Sequence, residues 1–126
     1  MKKKVFIVDD EEALLRMLKL NLEATGIFEV KTESKPKQAL QTAKNFAPDI
    51  IFLDIVMPEM EGSEVANLMK EDKALKRVPI VFMTATVTAE EVKSAGDEIG
   101  GQRFIAKPVN TKQLTECIKN VLEQTG

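Results

Sequence analysis

The sequence lacks several residue types on which common catalytic sites depend. Its 126 residues contain no histidine, tryptophan or tyrosine and a single cysteine, Cys117. One cysteine cannot form an intramolecular disulfide, and without histidine the chain has neither the usual zinc ligands nor the base of a Ser-His or Cys-His couple. Acids, lysines, hydroxyl groups and a hard cation remain available for chemistry.

Long apolar runs and basic clusters are also missing. The first apolar run, residues 5–8, follows three lysines and is too short for a signal-peptide core or a membrane span. Lys and Arg total 18 against 20 Asp and Glu, so no basic surface of the kind that binds nucleic acid is indicated. We therefore expect a cytoplasmic protein that contacts neither membrane nor nucleic acid directly, folded as a single domain over residues 1–126.

Predicted strands and helices alternate along the chain. The predicted strands are residues 5–8, 30–32, 50–53, 80–83 and 104–106. The predicted helices are residues 11–25, 36–46 and 63–71, one beginning at a capping-box pattern at 88–91, and one beginning after Asn110. This alternation with short links favours a three-layer α/β sandwich around a parallel sheet.

Helical spacing and capping residues support these helices. Leu14, Leu18 and Leu22 recur along the first helix with Met17 beside them, and Leu68 joins the apolar positions of the third. We expect Gly26 to end the first helix and Asn110 to cap the last. Cys117 falls on the apolar stripe of that last helix, which predicts a core residue and not a reactive thiol.

Polar side chains follow four of the predicted strands. Asp9 and Asp10 follow the first, Asp54 the third, Thr84 the fourth and Lys107 the fifth. The carboxyl ends of parallel strands share one edge of a sheet, where ligands bind in α/β proteins. A single acid there often only begins a turn, but the combination favours a functional site.

The acids in this set require a counter-charge. Carboxylates about 4 Å apart repel by about 4 kcal/mol per pair at an effective dielectric constant of about 20. Lys107 supplies one positive charge, and an all-oxygen site suits Mg²⁺. A carboxylate nucleophile, a hard cation, an ammonium and a hydroxyl together are typical of phosphoryl transfer to an aspartate, here Asp54.

At this point the chain resembles the receiver domain of response regulators, of the stand-alone chemotaxis type. The resemblance rests on Val-Asp-Asp at 8–10, Leu-Asp-x-x-Met-Pro at 53–58 with Gly62, Thr-Ala at 84–85 and Lys-Pro at 107–108. It implies a flavodoxin-like fold with a five-stranded parallel sheet in the order 2-1-3-4-5 and five helices. Residues 96–103 depart from the family pattern, which leaves the fourth helix and its loop the least defined part.

The resemblance also implies roles for individual residues. Asp54 would be the phospho-acceptor, and the Mg²⁺ site would comprise Asp10 and Asp54 directly, Asp9 through water, and the backbone carbonyl of Val56. The phosphate contacts would be Thr84, Ala85 and Lys107. Thr84 would also act in switching, and Phe104 would be either the switch aromatic or an edge-strand core residue. The Lys107-Pro108 peptide bond is expected to be cis.

The function implied is that of a switch in a two-component phosphorelay. A sensor histidine kinase or phosphotransfer protein would phosphorylate the domain, changing a face at about residues 89–124 that binds a downstream protein. The domain would be a monomer or a phosphorylation-linked dimer. It would be no turnover enzyme, but an acceptor that catalyses its own phosphorylation and dephosphorylates itself slowly.

Three other interpretations compete with this one. A flavin-binding electron carrier needs a phosphate-binding loop after the first strand, where four consecutive acids, residues 9–12, would repel a phosphate. An aspartate-nucleophile phosphohydrolase usually has a second Asp two residues after the first, where Val56 stands. A constitutive pseudo-receiver that binds proteins without phosphorylation is the alternative, and the presence of every acidic, hydroxyl and lysine site residue argues against it.

Overall fold

The computed structural model describes residues 2–85, 98–99 and 102–125, and its centre is a six-stranded sheet. The strands are β1 (Lys3–Val8), β2 (Phe28–Glu33), β3 (Ile50–Asp54), β4 (Ile80–Thr84), β5 (Glu98–Ile99) and β6 (Gln102–Ala106). Their order across the sheet is β2-β1-β3-β4-β6-β5, and the first five in that order are parallel.

The predicted fold class is confirmed, with one addition to the sheet. The five parallel strands have the expected 2-1-3-4-5 order when β6 is counted as the fifth. The two-residue β5 was not predicted, and it pairs antiparallel with β6 through Glu98–Arg103 and Ile99–Gln102. A strand of two residues has too little sequence to show a periodicity, so only the fold reveals β5.

Four α-helices are present in the described residues. They are α1 (Glu12–Ala24), α2 (Ala39–Phe46), α3 (Gly62–Glu71) and α4 (Thr111–Thr125), and a 3-10 turn, Pro36–Gln38, leads into α2. The helix predicted to begin at residues 88–91 lies outside the described residues, so α4 here is the fifth helix of the prediction. Within the described part of the chain, no helix is both long and apolar enough to cross a membrane.

The sheet is buried on both faces, which explains the uninterrupted apolar runs of β1 and β3. Side chains of a strand alternate between faces. Val5, Ile7, Ile50 and Phe52 pack with α1 and α4, whereas residues such as Ile51 pack on the opposite face with α2 and α3. Each face therefore has its own core, and Asp54 follows a strand that is shielded from water on both sides.

Two apolar residues of the predicted helices are exposed, contrary to expectation. Met17 is 44% exposed and Leu68 is 40% exposed. The buried face of α1 is formed by Leu15, Leu18 and Leu22. At 100° per residue, Met17 lies well to the side of Leu18, so spacing alone placed it too close to the core.

The predicted ends of α1 and α4 are confirmed. Gly26 follows α1 in a left-handed conformation, with φ of 80°, and its N–H donates to the Glu23 carbonyl. Before α4, the Asn110 side chain accepts from the Gln113 N–H while the Gln113 side chain accepts from the Asn110 N–H. These reciprocal bonds form a capping box. Cys117 is fully buried, as predicted.

Candidate functional site

Strand register brings the predicted site residues to one edge of the sheet. Val8 pairs with Leu53, so Asp9 and Asp10 leave β1 beside the end of β3, where Asp54 is the last residue. Thr84 ends β4, and it pairs with Ala106, the last residue of β6. Lys107 is the next residue in the chain. The four parallel strands in the middle of the sheet therefore deliver their polar residues to a common site.

Lys107 links two of the aspartates. Its Nζ lies 2.9 Å from Oδ2 of Asp9 and 3.2 Å from Oδ1 of Asp54. The Asp9 side chain is fully buried and that of Asp54 is 8% exposed, so both ion pairs are largely shielded from water. One ammonium group therefore only partly offsets the charge of two carboxylates, and Asp10 adds to the excess negative charge of the site.

Asp9 and Asp10 differ in their surroundings although they are adjacent. Oδ1 of Asp9 accepts a hydrogen bond from the Glu11 N–H at 2.9 Å, and its other oxygen contacts Lys107, so its orientation is restrained on both sides. Asp10 is exposed. One carboxylate oxygen from each of Asp9, Asp10 and Asp54 lies within 4.8 Å of the others. In this cluster Asp9 is fixed by two contacts, Asp10 is exposed, and Asp54 is the last residue of β3.

This donor set fits a small hard cation. Mg²⁺ prefers oxygen ligands and uses one or two carboxylates, completing its shell with water and phosphate oxygens. Asp10, which is exposed, and Asp54, which ends the strand, lie beside Asp9, which is already hydrogen-bonded, and this set matches the preference. The predicted further ligand, the Val56 carbonyl, belongs to the loop two residues past Asp54, and the Val56 side chain is 72% exposed. Its role as a ligand stays a prediction.

The charges of the site shift the pKa of both central groups. Burial and the neighbouring Asp9 raise the pKa of Asp54, and Lys107 only partly offsets them. Burial opposes the charged form of Lys107, but the hydrogen bonds and charges of Asp9 and Asp54 together raise its pKa. The carboxylate of Asp54 is therefore held in an unfavourable charged state, whereas the lysine is firmly protonated.

The remaining predicted phosphate contacts lie beside this cluster. Thr84 is 3% exposed, and its backbone carbonyl accepts from the Lys107 N–H at 2.9 Å. Ala85 is the first residue beyond β4 and is exposed. The Lys107-Pro108 peptide bond is cis, as expected. The structure thus brings Thr84 and Lys107 together through the backbone, and their contact with a phosphoryl group stays a prediction.

Gly62 has a structural role that the motif comparison did not reveal. It is the first residue of α3 and is buried, and its N–H donates to the Ile55 carbonyl at 2.9 Å. A Cβ at this position would overlap the carbonyl oxygen of Asp54. The helix can therefore approach the end of β3 only because residue 62 has no side chain. Its place in the 53–62 motif was the only sequence signal.

Phe104 is half-buried and packs against Phe82 across the strand pair. The two residues are in register between β4 and β6, with ring centroids 5.8 Å apart and planes tilted by 36°. This contact fits the expected edge-strand packing of Phe104 and leaves one part of the ring outside the core. Its action as a switch residue stays a prediction.

Comparisons with known proteins agree with one another. The family model described as the response regulator receiver domain matches residues 5–119. The polar-differentiation response regulator DivK of Brucella ovis is 33% identical over 97% of this chain and 98% of its own length. The alkaline phosphatase synthesis transcriptional regulatory protein PhoP of Bacillus subtilis is 34% identical, and the chain spans half the length of that relative.

Solved structures of similar proteins share the fold over nearly the whole chain. The chemotaxis response regulator CheY4 of Vibrio cholerae has a TM-score of 0.79 at 27% identity and covers 96% of this chain and 99% of its own. A CheY-like receiver domain protein from Methanospirillum hungatei has a TM-score of 0.77 at 29% identity, covering 99% of this chain and 97% of its own. These matches extend over all of the strands that carry the site.

Proposed function

The chain belongs to the response-regulator receiver domain family, which has a phosphorylation-dependent signalling role, and we propose that Asp54 accepts the phosphoryl group. The observation that carries this proposal is the position of Lys107 Nζ, 2.9 Å from Asp9 and 3.2 Å from Asp54. It combines a carboxylate at a strand end with a fixed cation and two further acids, as phosphoryl transfer to aspartate requires.

Asp54 acts as the nucleophile. A carboxylate oxygen of Asp54 attacks the phosphorus of a phosphohistidine in line with the leaving nitrogen. The P–N bond breaks, its electron pair returns to the imidazole, and the imidazole takes up a proton. The mixed anhydride formed is an aspartyl phosphate.

The acids around Asp54 would hold a metal ion, and Asp9 holds the lysine. Asp10 and Asp54 would bind Mg²⁺ directly, with Asp9 bound through water and the Val56 carbonyl as a further ligand. When bound, the ion neutralises charge on the transferred oxygens. Asp9 keeps Lys107 at the site because its second oxygen is held by the Glu11 N–H.

Lys107 and Thr84 hold the phosphoryl group after transfer. The ammonium of Lys107 exchanges its contact with the Asp54 carboxylate for one with a phosphoryl oxygen, and the Thr84 hydroxyl and the Ala85 N–H donate to the others. Charge-assisted hydrogen bonds contribute about 1.5–3 kcal/mol each, so two formed only in the phosphorylated state supply about 3–6 kcal/mol. Shifting a two-state equilibrium from 1:99 to 99:1 takes about 5.5 kcal/mol.

This free energy changes the face that binds a downstream protein. Phe104 lies in β6, three residues before Lys107 and packed on Phe82 of the strand that carries Thr84. Inward movement of Thr84 therefore reaches Phe104 through neighbouring strands. The parts of the predicted output face at residues 89–97 and 100–101 lie outside the described residues. Partial binding without phosphate follows from the modest driving force, and titration of a partner against unphosphorylated protein measures it.

Intact mass spectrometry tests the phosphoryl transfer. The protein is incubated with acetyl phosphate, with Mg²⁺ or with excess chelator, as wild type, Asp54→Asn and Glu71→Gln. Glu71 is an exposed acid at the end of α3 and serves as the matched acid-to-amide control. We expect one added phosphoryl group for wild type and Glu71→Gln with Mg²⁺ only, and none for Asp54→Asn.

The same experiment separates the alternatives. Phosphorylation of Asp54→Asn to the wild-type level would place the acceptor elsewhere. Folded wild-type protein that gains no phosphoryl group with Mg²⁺ would favour the constitutive protein-binding module. The mass decay of the phosphorylated protein then gives its rate of self-dephosphorylation.

A further inference from the structure

A pocket near the N-terminal ends of β4 and β6 has a strongly basic lining. It lies at the end of the strands opposite to the one that carries Asp54. It has a volume of about 240 Å³ and lies between the end of α3, the connection to β4 and the start of β6. Its cationic residues are Lys70, Lys76, Arg77 and Arg103, and none of the lining residues at positions 70–82 and 102–103 is acidic. In a chain with more acidic than basic residues, this is a marked separation of charge.

Three of these cations have no carboxylate partner among the described residues. Lys70, Lys76 and Arg77 make no ion pair within residues 2–85, 98–99 and 102–125, whereas Lys44 and Lys107 are paired with aspartates. The C-terminal dipole of α3 accounts for Lys70, which lies in its last turn. It does not account for Lys76 and Arg77, which lie in the turn that follows the helix.

The wall of the pocket is apolar. Phe82 is 4% exposed, and Pro79 and Ile80 are half-buried at the start of β4. Lys70, Lys76 and Arg77 are themselves exposed, so their charges are available to an anion from solvent. The guanidinium group of Arg77 also offers paired donors that match phosphate oxygens. The pocket therefore combines accessible positive charge and paired donors with an apolar wall.

We propose that this pocket binds a phosphate-class anion, either a free diphosphate or the diphosphate group of a larger molecule. The volume is below the roughly 300–1,000 Å³ of sites that enclose drug-sized ligands, so it suits the anionic group alone. The site is separate from Asp54, which lies at the other end of the strands. Binding at this site can therefore be measured on the unphosphorylated protein.

Chemical-shift titration of ¹⁵N-labelled protein tests the proposal. Inorganic pyrophosphate, orthophosphate, ADP and a tetraglutamate peptide are added separately, without divalent cations, and chloride keeps the ionic strength constant. We expect saturable shifts of the amides at residues 76–78, 80 and 102–103 with pyrophosphate. Equal shifts with ADP identify the diphosphate group of a nucleotide as a ligand, whereas shifts with pyrophosphate alone identify the free anion, and both results support the site.

Charge-matched variants show whether the pocket itself is responsible. The Lys76→Gln, Arg77→Gln double variant is expected to raise the dissociation constant of pyrophosphate by about tenfold, the size allowed for partly exposed charges. Arg16→Gln with Lys19→Gln removes the same two charge types from the exposed face of α1 and leaves binding unchanged. Asp54→Asn also leaves it unchanged, so failure of the proposed phosphorylation does not affect this test.

Three results would overturn the proposal. Chemical shifts that do not saturate with pyrophosphate would show general screening of surface charge and no specific binding site. If Arg16→Gln with Lys19→Gln weakened pyrophosphate binding as much as the pocket variant does, binding would depend on the total charge of the protein and not on the pocket. Tighter binding of the tetraglutamate peptide than of pyrophosphate would identify an acidic protein segment as the ligand.

Discussion

Replacing Asp54 by asparagine should stabilise the metal-free protein at neutral pH. Oxygens of Asp9 and Asp10 lie within 4.8 Å of an Asp54 oxygen, so each repels it by at least about 3.5 kcal/mol at an effective dielectric constant of about 20. The attraction to Lys107 at 3.2 Å is about 5 kcal/mol on the same scale. The charge of Asp54 is therefore unfavourable by about 2 kcal/mol before solvent screening, and we expect about 1 kcal/mol after it.

The pH dependence of this gain follows from the raised pKa of Asp54. A carboxyl group whose pKa is higher in the folded than in the unfolded state contributes stability fully below its unfolded pKa, about 3.9, and loses it as the pH rises through the folded pKa. At about pH 3 Asp54 is neutral like asparagine, so wild type and Asp54→Asn should be equally stable there. The variant should become the more stable form as the pH rises towards neutrality.

Urea denaturation followed by far-UV circular dichroism measures this difference, because the chain has no Trp or Tyr to report by fluorescence. Excess chelator keeps the protein metal-free, and a gain of about 1 kcal/mol corresponds to a melting temperature about 4 °C higher. Glu71→Gln, the exposed control, should be nearly neutral. Lower stability of Asp54→Asn than of wild type at pH 7 would show that the ion pair with Lys107 outweighs the repulsion, contrary to the reasoning above.

Three further substitutions test the packing beside the site, the charge of Lys107 and the Asp72–Lys44 ion pair. Gly62→Ala places a Cβ against the Asp54 carbonyl, so it should lower the free energy of unfolding by about 1–3 kcal/mol and slow phosphorylation. If neither the free energy of unfolding nor the phosphorylation rate changed, α3 would be able to move away from β3 without cost. Lys107→Gln leaves buried carboxylates uncompensated, so urea denaturation at pH 7 should show a loss of about 3 kcal/mol, partly recovered by adding Asp54→Asn. A backbone hydrogen bond and Lys44 lower the pKa of Asp72, so its stabilisation is present above the unfolded pKa and lost as the pH falls through the folded one. The stability difference between wild type and Asp72→Asn should then shrink as the pH falls below about 3.8 and vanish only below the folded pKa of Asp72, and a difference that stays constant down to strong acid would refute this account.

Local patterns predicted most of the elements because each needs only a short window of sequence. The run of apolar residues before Asp54 identified a strand covered on both faces, and the Asn110 position identified the start of the last helix. Met17 shows where such patterns fail. Apolar residues on the flank of a helix satisfy the same spacing as those of the core, and only packing against the sheet distinguishes the two.

Which chemical groups reach the functional edge could be predicted from the sequence, since strand ends and motifs are local. How those groups meet depends on the folded chain. Lys107 contacts Asp9 across 98 positions of the chain, and the adjacent Asp9 and Asp10 end up fully buried and exposed, respectively. The requirement for glycine at residue 62 likewise appears only when α3 packs on the end of β3. Distances and burial depend on register and packing between distant segments, which no short window of sequence contains.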